Sequence, residues 1–151
     1  SIAYSSPRWG EAMYIRYKEM TDSLDYVIVI GGHNDAFKLD SIGGIDNFKA
    51  KLEILCKGLV EKYPTAKIFF FTRWNCKNFK GSDSEKVVDT MVEVCGNYSI
   101  PIFDCARKGG IHADNDTFRK IYFQGEKDTA HLNAKGHVRF LKVAENFILQ
   151  Y

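Results

Sequence analysis

Three short apolar runs limit what this chain can fold into: Tyr26-Val27-Ile28-Val29-Ile30, Ile68-Phe69-Phe70-Phe71 and Ile100-Pro101-Ile102-Phe103. They are too short for helices, and they are continuous rather than alternating. Strands covered on both faces read this way. Helical stripes separate them. Phe48, Leu52, Leu55 and Leu59 predict a helix over 46–63, with Asp46 as its N-cap and Pro64 as its stop. Val87, Val88, Met91, Val94 and Cys95 predict another over 84–98. A last helix starts at the cap Asn133 and turns Val138, Leu141, Ala144 and Ile148 to the core. A short one over 10–20 is carried by Met13, Tyr17 and Met20. Strand and helix in alternation imply an α/β fold with a parallel sheet and right-handed crossovers. Residues 73–83 read as a polar loop, and 104–127 as a long excursion with little periodicity.

The 151 residues fit one domain, residues 1–151, large enough to bury a core without disulfides or metals. A formal net charge of +2, with Lys and Arg interspersed among acidic residues, gives no nucleic-acid surface. No apolar stretch reaches the ~18 residues of a membrane span. The opening Ser1-Ile2-Ala3-Tyr4 lacks an initiator Met and a leader pattern, so no targeting signal can be read from it. The cysteines Cys56, Cys76, Cys95 and Cys105 show no Cys-x-x-Cys spacing, which argues against zinc. Cys56 and Cys95 sit on apolar stripes and Cys105 follows a strand, so these three are expected to be buried thiols, with Cys76 exposed. Such thiols suit a reducing compartment and favour the cytoplasm, although location is otherwise open.

Two motifs carry the chemistry. Gly31-Gly32-His33-Asn34-Asp35 follows the first apolar run, which places an amide side chain at the carboxyl end of a buried strand, where α/β sheets bind ligands. Asp128-Thr129-Ala130-His131 precedes the last helix and sets a carboxylate and an imidazole three residues apart. Asn34 can donate to an oxyanion. His131 can act as general base near neutral pH, and Asp128 can hold its tautomer. Asp35 reads as structural, bonding loop amides. His33 and Trp74 fall at the same sheet end and are candidates for substrate contact, Trp74 as part of an acyl or sugar pocket.

These motifs resemble those of the SGNH (GDSL-type) hydrolases, a flavodoxin-like three-layer α/β family of esterases, lipases, acylhydrolases and carbohydrate esterases. The family's Gly-x-Asn-Asp block is matched by Gly32, His33, Asn34 and Asp35. Its Asp-x-x-His block is matched by Asp128 and His131. The resemblance implies a catalytic triad completed by Asp128 and His131, an oxyanion donor in Asn34, and substrate contacts at Gly32, His33 and Trp74. It also implies an acyl-enzyme route needing no cofactor or metal. The family's nucleophile lies in a Gly-Asp-Ser block after its first strand, and this chain has no such block. Gly81-Ser82-Asp83-Ser84 lies in the wrong place, and Ser5 or Ser6 is a poor substitute. The expectation is therefore a C-terminal portion of the family domain, with roughly 40 to 50 residues, the first strands included, outside this chain. This chain alone is then expected to be inactive. The expected partners are an ester substrate and a missing N-terminal segment, or a neighbouring chain, that completes the sheet beside Tyr26–Ile30.

The alternative is a non-catalytic flavodoxin-like binding or interaction domain that retained the motifs. A nucleotide-binding domain is disfavoured, because Gly43-Gly44 belongs to neither a Gly-x-Gly-x-x-Gly motif nor a P-loop. Asp114-Asn115-Asp116 lacks the rest of a calcium loop, and His112 and His137 have no ligand spacing. The triplets beginning at Asn97 and Asn115 match glycosylation acceptors but need a secretory context.

Overall fold

The computed structural model describes residues 1–8, 10–75 and 83–151. The expectations for Cys76 and for Gly81-Ser82 fall outside them. In chain order the elements are α1 (Met13–Arg16), a 3₁₀ turn (Tyr17–Glu19), β1 (Tyr26–Ile30), α2 (His33–Phe37), α3 (Leu39–Ile42), α4 (Ile45–Lys62), β2 (Lys67–Phe71), α5 (Ser84–Asn97), β3 (Ile102–Phe103), α6 (Cys105–Lys108), α7 (Asp116–Tyr122) and α8 (Ala134–Ile148).

The strands form a parallel sheet in the order β1-β2-β3. Register pairs Val27 with Ile68 and Val29 with Phe70, so these four point to one face. There they meet Leu52, Leu55 and Leu59 of α4 and Val87, Met91 and Val94 of α5. On the other face Phe69 and Phe71 pack against Phe140 and Phe147 of α8. The result is a three-layer α/β sandwich of flavodoxin-like type with β2 at its centre. Fully burying each aromatic of β2 contributes about 1.5–3 kcal/mol, which makes this strand the anchor of both cores.

Several sequence expectations are corrected. The helix over 10–20 contracts to α1 and a 3₁₀ turn, because Ser6 and Gly10 pair through their backbones and the Ser5 hydroxyl accepts from Ala12 N–H, which delays the helix start. Asp46 is not the N-cap of α4. That position belongs to Gly44 at φ 87°, and Asp46 lies in the first turn, where a negative charge faces the helix dipole favourably. The third strand is only two residues long, although Pro101 still lends its carbonyl to Phe70 N–H. The core face of α8 is built on Phe140 and Phe147, whereas Val138 and Leu141 are 71% and 54% exposed. The aromatic stripe wins because it faces Phe69 and Phe71. Helices α2, α3, α6 and α7 were not foreseen. Cys56, Cys95 and Cys105 are buried free thiols, and Asn133 caps α8 by accepting from Gly136 N–H at 3.0 Å.

Candidate active site

The chain leaves β1 through two glycines, and a side chain at either would push on its neighbours. A Cβ on Gly31 would meet Ile2 at 2.7 Å, and one on Gly32, at φ 93°, would meet the Met91 sulfur at 2.8 Å. Gly32 is thus buried against the α5 side of the core, and the sharp turn it allows starts α2 at His33. Asn34 follows in the first turn of α2 and is exposed. Asp35 is fully buried. Its carboxylate accepts from the backbone N–H groups of Ile2, Ala3 and Tyr4 at 3.0, 2.8 and 3.0 Å. That satisfies the charge and ties residues 2–4 to the turn, the structural role read from the sequence.

The second motif forms a tight turn before α8. One Asp128 oxygen accepts from Ala130 N–H and His131 N–H, both at 2.8 Å, and the other lies 2.9 Å from His131 Nδ1. A carboxylate can only accept here, so Nδ1 carries a proton, and in the neutral ring Nε2 is the acceptor. The His131 side chain is 70% exposed and the Asp128 side chain 24%. Partial burial is the largest single influence on Asp128 and opposes ionisation. The hydrogen bonds from His131 and Ala130 together outweigh it and hold the carboxyl below its ordinary value.

Trp74, just beyond β2, braces this turn. Its indole N–H donates to Ala130 C=O at 3.0 Å, and its ring meets Phe140 edge-on with centroids 4.8 Å apart. At 8% exposure it presents little surface to a ligand, so what its geometry provides is support for the turn. Gln124 N–H adds a bond to His131 C=O, and the Asn133 amide donates to the carbonyls of Ile121 and Phe123.

His33 joins the two motifs. Its Nε2 lies 3.4 Å from the Thr129 hydroxyl, in the middle of the Asp128–His131 turn. Burial, and then the charges of Arg73 and His131, lower the His33 pKa to about 4, so the ring is neutral at pH 7. Its Nδ1 is buried without a hydrogen-bond partner, which suits an unprotonated ring nitrogen better than an N–H. The Arg73 guanidinium sits 5.1 Å over the Phe37 ring beside it. The structure therefore gathers His33, Trp74, Asp128 and His131 at the carboxyl end of the sheet, with Asn34 on the adjoining turn. Sequence reasoning missed Thr129 and Arg73. The signals for them were position alone: one between the two motif residues, the other directly after a buried strand. Ser5 and Ser6 are spent on the 5–12 turn, where their hydroxyls accept from Ala12 and Arg8 N–H. Among the described residues no group of three or more His, Cys, Asp or Glu could hold a metal ion, and no helix is long and apolar enough to cross a membrane.

No family model and no curated protein matches this chain. Solved structures do. One crystal structure matches over 99% of this chain and 74% of its own, with a TM-score of 0.78 at 23% identity. A protein from Lactobacillus plantarum matches over 97% and 76%, with a TM-score of 0.80 at 21% identity. A GDSL-like lipase candidate from Bacteroides ovatus matches over 93% and 60%, with a TM-score of 0.61 at 14% identity. The likeness is one of fold. It extends across nearly the whole chain and supports the three-layer α/β sandwich.

Proposed function

We propose that this chain carries the acid–base and oxyanion parts of an SGNH-type serine esterase acting on carboxylic esters, acyl or acetyl groups on carbohydrate or lipid. The observation that carries the reading is the Asp128–His131 pair. Its carboxylate holds Nδ1–H at 2.9 Å and leaves the basic Nε2 on an exposed edge at the carboxyl end of a parallel sheet. A serine outside these 151 residues attacks the ester carbonyl while His131 Nε2 takes its proton. The imidazolium is stabilised by Asp128, and the Asn34 amide donates to the tetrahedral oxyanion. Collapse expels the alcohol, which receives the proton from His131. Water, activated by the same nitrogen, then releases the acid and restores the serine. His33 borders the substrate, Gly32, buried against α5, sets the turn that presents it, and Trp74 keeps the His131 turn in place. No step needs a cofactor.

The test uses the polypeptide from its complete coding sequence. A fluorophosphonate probe should label one serine outside residues 1–151, and hydrolysis of nitrophenyl acetate should fall by at least ~10⁴ in His131→Ala with the fold intact by circular dichroism. Asn34→Ala should lower turnover by ~10²–10³. Labelling of no serine, with ester turnover absent, would overturn the esterase reading and leave a binding domain of the same fold.

A further inference from the structure

Two consecutive residues just past β2 each reach a different motif turn. Arg73 Nη1 donates to His33 C=O at 3.5 Å, and the Trp74 indole donates to Ala130 C=O at 3.0 Å. His33 and Thr129 close the figure, with the imidazole Nε2 3.4 Å from the hydroxyl oxygen. A ring of contacts thus runs from Arg73 through His33, Thr129 and Ala130 to Trp74, and back along the chain. Among the described residues, His33–Thr129 is the one direct hydrogen bond from the turn at 31–37 to the segment 124–133. Its direction follows from the other ring nitrogen. The neutral ring carries one proton; Nε2 has an acceptor within reach, while the buried Nδ1 has no partner. Nε2–H therefore donates to the Thr129 oxygen. His33 is itself held in place, because Gly32 before it lies against Met91 and the Phe37 ring packs on it with centroids 5.2 Å apart.

We infer that His33 and Thr129 are positioning residues: with the Arg73–Trp74 frame they hold the Asn34 amide and the His131 imidazole at the separation that one ester carbonyl requires. Asn34 directly follows His33, and His131 lies two residues after Thr129, so the bond joins the segments that carry the oxyanion donor and the base. In ester hydrolysis one of these groups serves the carbonyl oxygen. The other serves the serine oxygen that attacks the carbon beside it. A misplacement of about 1 Å between such groups can cost ~10² in rate. At 3.4 Å the contact is long for an N–H···O bond, so what it contributes is placement more than stability. The end of β2 is a firm mount for the frame, because Phe70 is buried in one core and Phe71 in the other. The role rests on the esterase reading for its reaction, and Thr129 acts in it only through its neighbours.

Hydrolysis of nitrophenyl acetate by the polypeptide from its complete coding sequence tests this. Thr129→Val keeps the shape of the side chain and removes the acceptor. It should lower kcat ~10-fold, with KM changed less than about twofold and the melting temperature nearly unchanged. Thr129→Ser, which keeps the hydroxyl, should recover most of that loss. Trp74→Phe keeps a ring against Phe140 and drops the N–H, and it should lower kcat as well. The two changes together should cost less than the product of their separate effects, since each opens the same frame. Proton–nitrogen correlation spectra of the wild-type His33 ring should show its proton on Nε2, a readout that needs no variant to fold. Any of four results would overturn the inference and leave the esterase reading standing: an active wild type whose kcat ignores Thr129→Val, a Thr129→Ser variant as slow as Thr129→Val, a loss of kcat that tracks a loss of melting temperature, or a ring protonated on Nδ1. A wild type without ester turnover would instead overturn the esterase reading, and the positioning role with it.

Discussion

His33 shows how a single side chain can be tuned by its place in a fold. It leaves an ordinary pKa of 6.5 in the unfolded chain for about 4 in the folded one, through burial first and then the Arg73 and His131 charges, against the opposing pull of Asp128. The unfolded state therefore binds the extra proton between those values. Stability present above pH 6.5 is lost as pH falls toward 4, by about 3 kcal/mol in all. Asp128, whose carboxyl is held below its ordinary value, acts in the same direction at lower pH. Urea titrations between pH 7 and pH 4 should show this slope, and His33→Gln should flatten it. An unchanged slope in that variant would mean the ring is solvated. The residue identities at this site were legible in the sequence, since Asn34, Asp128 and His131 stand in short motifs. The commitments of His33 and Trp74 were not. An indole bonded to Ala130 C=O and an imidazole beside Thr129 depend on distances across fifty-six and ninety-six positions, which no local pattern encodes.

Helix α8 shows both what an element-scale pattern can reveal and where it fails. Its start was readable, because Asn133 offers the side-chain oxygen that a helix N-terminus lacks, and that oxygen does accept from Gly136 N–H. The same amide group also donates to the carbonyls of Ile121 and Phe123, so the cap fastens α8 to the end of α7. Asn133→Ala should cost about 1–3 kcal/mol, the cap and the tertiary bonds combined, and Asn133→Ser, which restores only the cap, should recover about 1 kcal/mol of it in thermal unfolding. The phase of the helix was not readable. Val138, Leu141, Ala144 and Ile148 form one apolar stripe, and Phe140, Ala144 and Phe147 form another that overlaps it. Both satisfy helical spacing. The choice falls to the surface opposite, where Phe69 and Phe71 take the aromatic stripe into edge-to-face packing.

The whole molecule hangs on β2, the strand that holds the two cores apart and together. Phe71 meets Phe103, Phe140 and Phe147, and its backbone carbonyl accepts from Gly31 N–H at the start of the site. Phe71→Ala should cost about 3–5 kcal/mol in chemical denaturation and loosen the Trp74–Phe140 support of the His131 turn, whereas Tyr26→Ala, on an exposed face, should cost far less. Local order in the chain was enough to determine the α/β class, the three strands and the long helices. It also placed both motifs at the carboxyl end of the sheet, because hydrophobic periodicity and turn residues act over a few positions. The sequence also read β1 as a strand made to be covered on both faces, and its composition still says so. Only the tertiary structure decided that β1 is the outer strand among the described residues, that α8 turns its aromatic stripe inward, and that the two motifs meet through His33 and Thr129. Those outcomes depend on which surfaces face one another after collapse, and that competition is settled by packing between elements rather than by any pattern within one.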